Sequence, residues 1–234
     1  MSLSELRKIL KKEANPSQAK ILARFFKTGK GEYGEGDEFL GIKVPLSREI
    51  AKQFKDLSLE DIKELLYSPP HEERLISLFI LTDQFRKADD KKKKIIYDFY
   101  LKNTKQINNW DLVDLSAERI IGAYLLDKDK KILFKLARSK NLWERRIAIM
   151  STFYFIKNGV FDTTLKISKM LLQDEHDLIH KAVGWMLREI GKRNLIEEEI
   201  ILKKHYKIMP RTMLRYAIEK FPEKRRQAYL RGEI

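Results

Sequence analysis

The chain contains no cysteine. Disulfides, thiolate-ligated zinc, iron–sulfur clusters and thiol nucleophiles are excluded together, and a reducing compartment fits. No apolar run approaches the roughly 20 residues of a bilayer span. The longest, around Leu75 to Leu81, is far too short, so no membrane partner is expected. The opening Met1-Ser2-Leu3-Ser4-Glu5-Leu6 lacks the basic-then-apolar order of a secretory leader, and a cytoplasmic protein is expected. Gly-x-Ser-x-Gly and His-Glu-x-x-His are both missing. His176 and His180 have helical i,i+4 spacing but no obvious further ligand, so neither a metal nor another cofactor is expected. No stretch alternates strictly with β-branched residues, which argues against a sheet.

What is present is positive charge. The chain has 234 residues, with 48 Lys and Arg against 34 Asp and Glu, for a formal net charge of +14. Such an excess attracts polyanions over long range, with nucleic acid the usual partner. Hydrophobic residues make up 43% and aromatics 10%, enough for a packed core.

The apolar spacing is helical almost throughout, as in Leu6, Ile9 and Leu10 or Ile21, Leu22, Phe25 and Phe26. Helix starts are marked by Asn15-Pro16-Ser17, Pro45-Leu46-Ser47, Ser58-Leu59-Glu60-Asp61 and Pro69-Pro70. Five of the ten glycines lie between Gly29 and Gly41, which must therefore be a loop. It fits a plain connection better than a phosphate cradle, since no strand precedes it and no nucleotide motif matches. From residue 70 onward, comparable helices begin near Glu72, Trp110, Trp143, Ile179 and Pro210, about 31 to 38 residues apart. Shorter helices, such as 130–139 and 163–172, precede them. This spacing predicts an all-α fold, an α-solenoid of stacked helix pairs in one domain over 1–234, with a concave basic groove shaped for a duplex.

Within those helices a few residues could carry chemistry. Trp110 and Asp114 are four apart on one face, and Asn108 or Asn109 precedes them as a cap. An aromatic beside a carboxylate suits a sugar that develops positive charge, although a core tryptophan with a surface acid is the commoner arrangement. Arg146 shares a face with Trp143, and Arg145 does not; an arginine turned to the groove would grip a phosphate. Lys181 and Trp185 repeat the i,i+4 pairing, followed by Arg188 and Glu189, and Gly184 leaves room for close approach of another helix or of DNA. Arg211 and Arg215 add cations with Lys203, Lys204 and Lys207. Aromatics interleaved with cations are what a nucleic-acid groove needs. Lys91 to Lys94 read as a solvated helix start, and Asp89, Asp90, Asp127 and Asp129 as caps at helix joints.

Taken in order, the segments Gly34–Pro45, Asn109–Asp114, Leu142–Arg146, Lys181–Glu189 and Met209–Ala217 give the chain a family likeness. It resembles the AlkD-type DNA alkylation repair glycosylases, which are built from HEAT-like helical repeats. The resemblance implies a monofunctional glycosylase of base excision repair. It would excise cationic alkylated purines such as 3-methyladenine and 7-methylguanine from double-stranded DNA as a cofactor-free monomer, nucleoid-associated when bound. It makes Asp114 the catalytic carboxylate. Trp110 and Trp185 become the tryptophans against the lesion's deoxyribose, and Arg146 becomes a backbone contact. Lys181, Arg188, Arg211 and Arg215 are expected to support backbone binding. Some members carry a tyrosine near Phe25, so one hydrogen bond to the DNA backbone is absent here. Two rival functions share the fold: a non-catalytic binder of nucleic acid, and a helical scaffold for acidic proteins.

Overall fold

A computed structural model describes residues 2–234. Among them there are helices and one isolated bridge, Glu38 with Pro70, but no strand, as the helical spacing predicts. No helix among the described residues is long and apolar enough to cross a membrane. Where one domain over 1–234 is expected, the contacts fall into two compact units that divide between Ser116 and Ala117.

The first unit holds α1 (Leu3–Glu13), α2 (Pro16–Phe25), α3 (Val44–Gln53), α4 (Leu59–Leu66), α5 (His71–Lys87), α6 (Asp90–Lys102) and α7 (Trp110–Ala117, whose last residue belongs to the second unit). Its axis is α5, on which every residue from His71 to Leu81 is buried, and α3, α4 and α6 pack around it. The punctuation read from sequence is what starts these helices. Asn15 accepts from the Gln18 amide, Ser58 and Asp61 close a reciprocal capping box, and Asp89 accepts from the Lys92 amide.

The second unit begins with a wide π turn (Glu118–Gly122) and α8 (Ala123–Leu125). It continues through α9 (Lys131–Ala137), α10 (Leu142–Lys157), α11 (Asp162–Met170), α12 (Asp177–Gly191), α13 (Leu195–His205), α14 (Arg211–Ala217) and α15 (Glu223–Arg231). Here α10 and α12 are the axes. Two glycines let backbones meet. A Cβ on Gly122 would strike the Ser151 carbonyl of α10, and one on Gly184 would strike the Met213 carbonyl of α14. Gly184 thus serves the approach of another helix. The short-then-long order of each pair holds for α9 with α10 and for α11 with α12, but reverses for α13 with α14.

Candidate active site

In the first unit the site is built on the start of α7. Asn109 caps it, its Oδ1 accepting from the Trp110 amide at 2.8 Å. Trp110 and Asp114 lie one turn apart, both half-buried. The indole stacks on Phe26, with centroids 5.2 Å apart and planes at 21°, and Phe25 meets it edge-on at 5.9 Å. Phe25 itself is 61% exposed at the end of α2. Beyond Phe26 the rings continue: Phe39 stacks on it at 5.1 Å, and His71 lies against both, at 5.1 Å from Phe26 and 4.6 Å from Phe39.

Sequence reasoning passes over the polar layer behind these rings. His71, Asp37 and Asp111 are all buried at their side chains. His71 Nε2 is 2.8 Å from Asp111 Oδ2, and Nδ1 is 3.2 Å from Asp37 Oδ2. Arg74 donates to Asp37 Oδ1 at 2.5 Å, and the Asn109 amide donates to its Oδ2 at 2.9 Å. Burial works against the Asp37 carboxylate, yet the His71 hydrogen bond and the Arg74 and Asn109 donors hold its pKa below the usual range. Burial likewise works against the His71 cation, but bonds to Asp111 and Asp37 push its pKa up to about 9. Isolated single residues carry no sign of this layer. The signal that could have found it is the run of acids and bases in the otherwise apolar α5, where His71, Glu72, Glu73 and Arg74 are all buried.

The glycine-rich loop is more than a plain connection. Its far end is strapped down, with Leu40 O accepting from the Asn15 amide and Glu38 O accepting from the His71 amide, both at 2.8 Å. The Glu72 carboxylate accepts the backbone N–H groups of Leu40, Gly41 and Ile42 at 2.8 to 3.1 Å. Gly41 has φ +85°, and a Cβ there would strike the Asn15 carbonyl. These donors are occupied by the protein's own acid, so no phosphate cradle is present at that end.

The second unit places the remaining candidates less uniformly. Trp185 is half-buried on α12, with the Phe153 ring 5.8 Å away. Lys181, one turn earlier, pairs with Asp177 at 2.6 Å. The face that Arg146 shares with Trp143 is the interior one. Trp143 is 8% and Arg146 4% exposed, and Arg146 Nη1 donates to the Leu178 carbonyl at 2.5 Å. Arg146 therefore ties α10 to the first turn of α12. Arg145 is half-buried and paired with Asp174 at 2.6 Å. Arg188 is paired with Glu219. Arg211 and Arg215 are exposed; Arg211 donates to the Leu230 carbonyl, and among the described residues Arg215 makes no ion pair. His176 caps α12 by accepting from the Leu178 amide, and His180 bonds the Asp174 carbonyl. Among the described residues no group of three or more His, Asp or Glu is arranged to hold a metal.

Among the described residues, helices alone, paired in succession in the second unit, define the class of helical repeat proteins. The family follows from comparison. A family model described as DNA alkylation repair enzyme matches residues 6–221, and the chain belongs to that family. Among solved structures it is similar to a protein of Enterococcus faecalis described as a predicted DNA alkylation repair enzyme. That likeness is at 17% identity over 90% of this chain and 98% of that one, with a TM-score of 0.70. It is also similar to AlkD2 from Streptococcus mutans, at 20% identity over 88% and 98% of the two chains, with a TM-score of 0.55. At these identities the two structures speak to the fold, which is the same helical one. No curated protein matches the chain.

Proposed function

We propose that this member of the family is a DNA glycosylase that removes cationic alkylated purines, of the 3-methyladenine and 7-methylguanine type, from duplex DNA. The observation that carries the reading is the pair Trp110 and Asp114, one turn apart and both part-exposed on α7, with the back of the indole stacked on Phe26. A cationic base departs neutral, so no general acid is required of the protein. The deoxyribose left behind gains oxocarbenium character. A carboxylate about 4 Å from that charge stabilises it by roughly 4 kcal/mol at an effective dielectric of about 20. That is about a thousandfold in rate. Asp114 would also orient or deprotonate the attacking water, as carboxylates do in glycoside hydrolysis. The indole face of Trp110 favours the cationic sugar through its quadrupole.

The backbone contacts are assigned to Lys181, Arg211 and Arg215. Arg146 and Arg188 are engaged with the Leu178 carbonyl and with Glu219. The experiment is a base-release assay on methylated duplex DNA. The reading expects free 7-methylguanine and 3-methyladenine, with no release of neutral undamaged bases. Release of neither methylated base, with duplex binding retained, would replace it with the non-catalytic binder.

A further inference from the structure

We propose that His71 is the positioning residue for Trp110: its imidazolium, clamped between Asp37 and Asp111, holds the start of α7 and the aromatic floor beneath the indole. The inference rests on the glycosylase reading for its importance and on local geometry for its content. Both ring nitrogens face carboxylate oxygens, at 2.8 and 3.2 Å. An ionised carboxylate only accepts hydrogen bonds, so a ring between two of them must donate from both nitrogens and carry the charge. The charged groups facing it are Asp37 from the glycine-rich loop, Asp111 from α7 and Arg74 from α5, which with His71 itself make two cations and two anions.

Both chain neighbours of Trp110 end in this cluster. Asp111 is bound by His71, and Asn109 donates to the same Asp37 oxygen that His71 faces. The indole is therefore held from both sides through its own backbone, while the Phe39, His71 and Phe26 rings stack behind it. A buried ionic cluster is seldom a better source of stability than apolar packing of the same volume; fixed geometry is what it supplies. A neutral His71 would donate once and turn a lone pair toward the other carboxylate. One strap at the start of α7 would then fail.

The test uses Trp143→Phe/Trp185→Phe, in which Trp110 is the only tryptophan. Its emission maximum and acrylamide quenching are followed against pH, with far-ultraviolet circular dichroism alongside. The expected result is a flat signal from pH 6 to 8 and a red shift with stronger quenching centred near pH 9, at unchanged helicity. His71→Gln in the same background should lose the transition. A flat signal through pH 10, or a transition that survives His71→Gln, would overturn the inference; the first arm needs no variant at His71, so a folding failure there leaves a decision. The activity arm compares His71→Gln with wild type at pH 7. A fall in kcat of about tenfold to a hundredfold, with KM for methylated duplex within about twofold, is expected from a small misplacement of the indole. That fall should vanish in a Trp110→Ala background. An additive effect in that background would mark His71 as merely structural and overturn the proposal. Should wild type release no base, the glycosylase reading falls, while the fluorescence titration still decides the role of His71.

Discussion

At the residue scale, side chains proposed to meet the substrate and side chains that hold the fold respond differently to substitution. Trp185 is part-exposed and is proposed to face bound DNA, so Trp185→Ala should slow excision about tenfold, the worth of a cation–π contact of about 1.4 kcal/mol, and leave the melting temperature nearly unchanged. Single-turnover rates beside thermal melts would check it. Arg146→Ala should do the opposite. It leaves the Leu178 carbonyl short of a donor inside the unit, a loss of about 1–3 kcal/mol of stability, with the salt dependence of duplex binding unaltered. A changed salt slope would return Arg146 to the DNA-facing set. The sequence alone puts Trp143 and Arg146 on one helix face correctly. It cannot say whether that face is interior, because α10 is apolar nearly all round and its periodicity points nowhere in particular.

At the scale of elements, the caps and prolines mark most helix starts, since the first-turn amides need acceptors whatever the tertiary fold. Asn15, Ser58 and Asp89 cap as their positions suggest, and Asn141 caps α10 in the same way. The loop from Gly29 to Gly41 is legible as a loop and no further. Its anchoring on Glu72 and His71 joins residues about 30 apart in the chain, a pairing that local pattern does not encode. The close contact of α12 with α14 makes Gly184 a sensitive position. Gly184→Ala should destabilise the protein by about 1–3 kcal/mol through overpacking against the Met213 carbonyl, even though alanine favours helix. A rise in the melting temperature would mean that the two helices part without penalty.

For the whole molecule, charge and titration set the conditions under which it works. With a net charge of +14, duplex affinity should fall linearly on a log–log plot against salt. Arg211→Ala/Arg215→Ala should reduce that slope by about 1.8, from two phosphate contacts at about 0.9 each. Two buried groups make stability fall toward alkaline pH. The folded pKa of His71 is raised to about 9, so its contribution is whole below its ordinary value of 6.5 and is lost as pH rises through 9. Burial, with Glu199 nearby, pushes Glu198 up to about 8, so its ionisation costs stability progressively between the ordinary 4.5 and 8. Glu198→Gln should therefore raise the melting temperature at pH 8 and change it little at pH 4.5. The all-helical class is readable from spacing, and the cationic excess from composition. The division into two compact units is not, because apolar periodicity continues across Ser116 and Ala117 without a linker.

The most direct measurement is single-turnover release of 7-methylguanine and 3-methyladenine from methylated duplex by wild type beside Asp114→Asn, with the affinity of both proteins for the same duplex measured in parallel. The role proposed for Asp114 requires equal affinity and a loss of about a thousandfold in rate for the variant. Equal rates for the two proteins would contradict it.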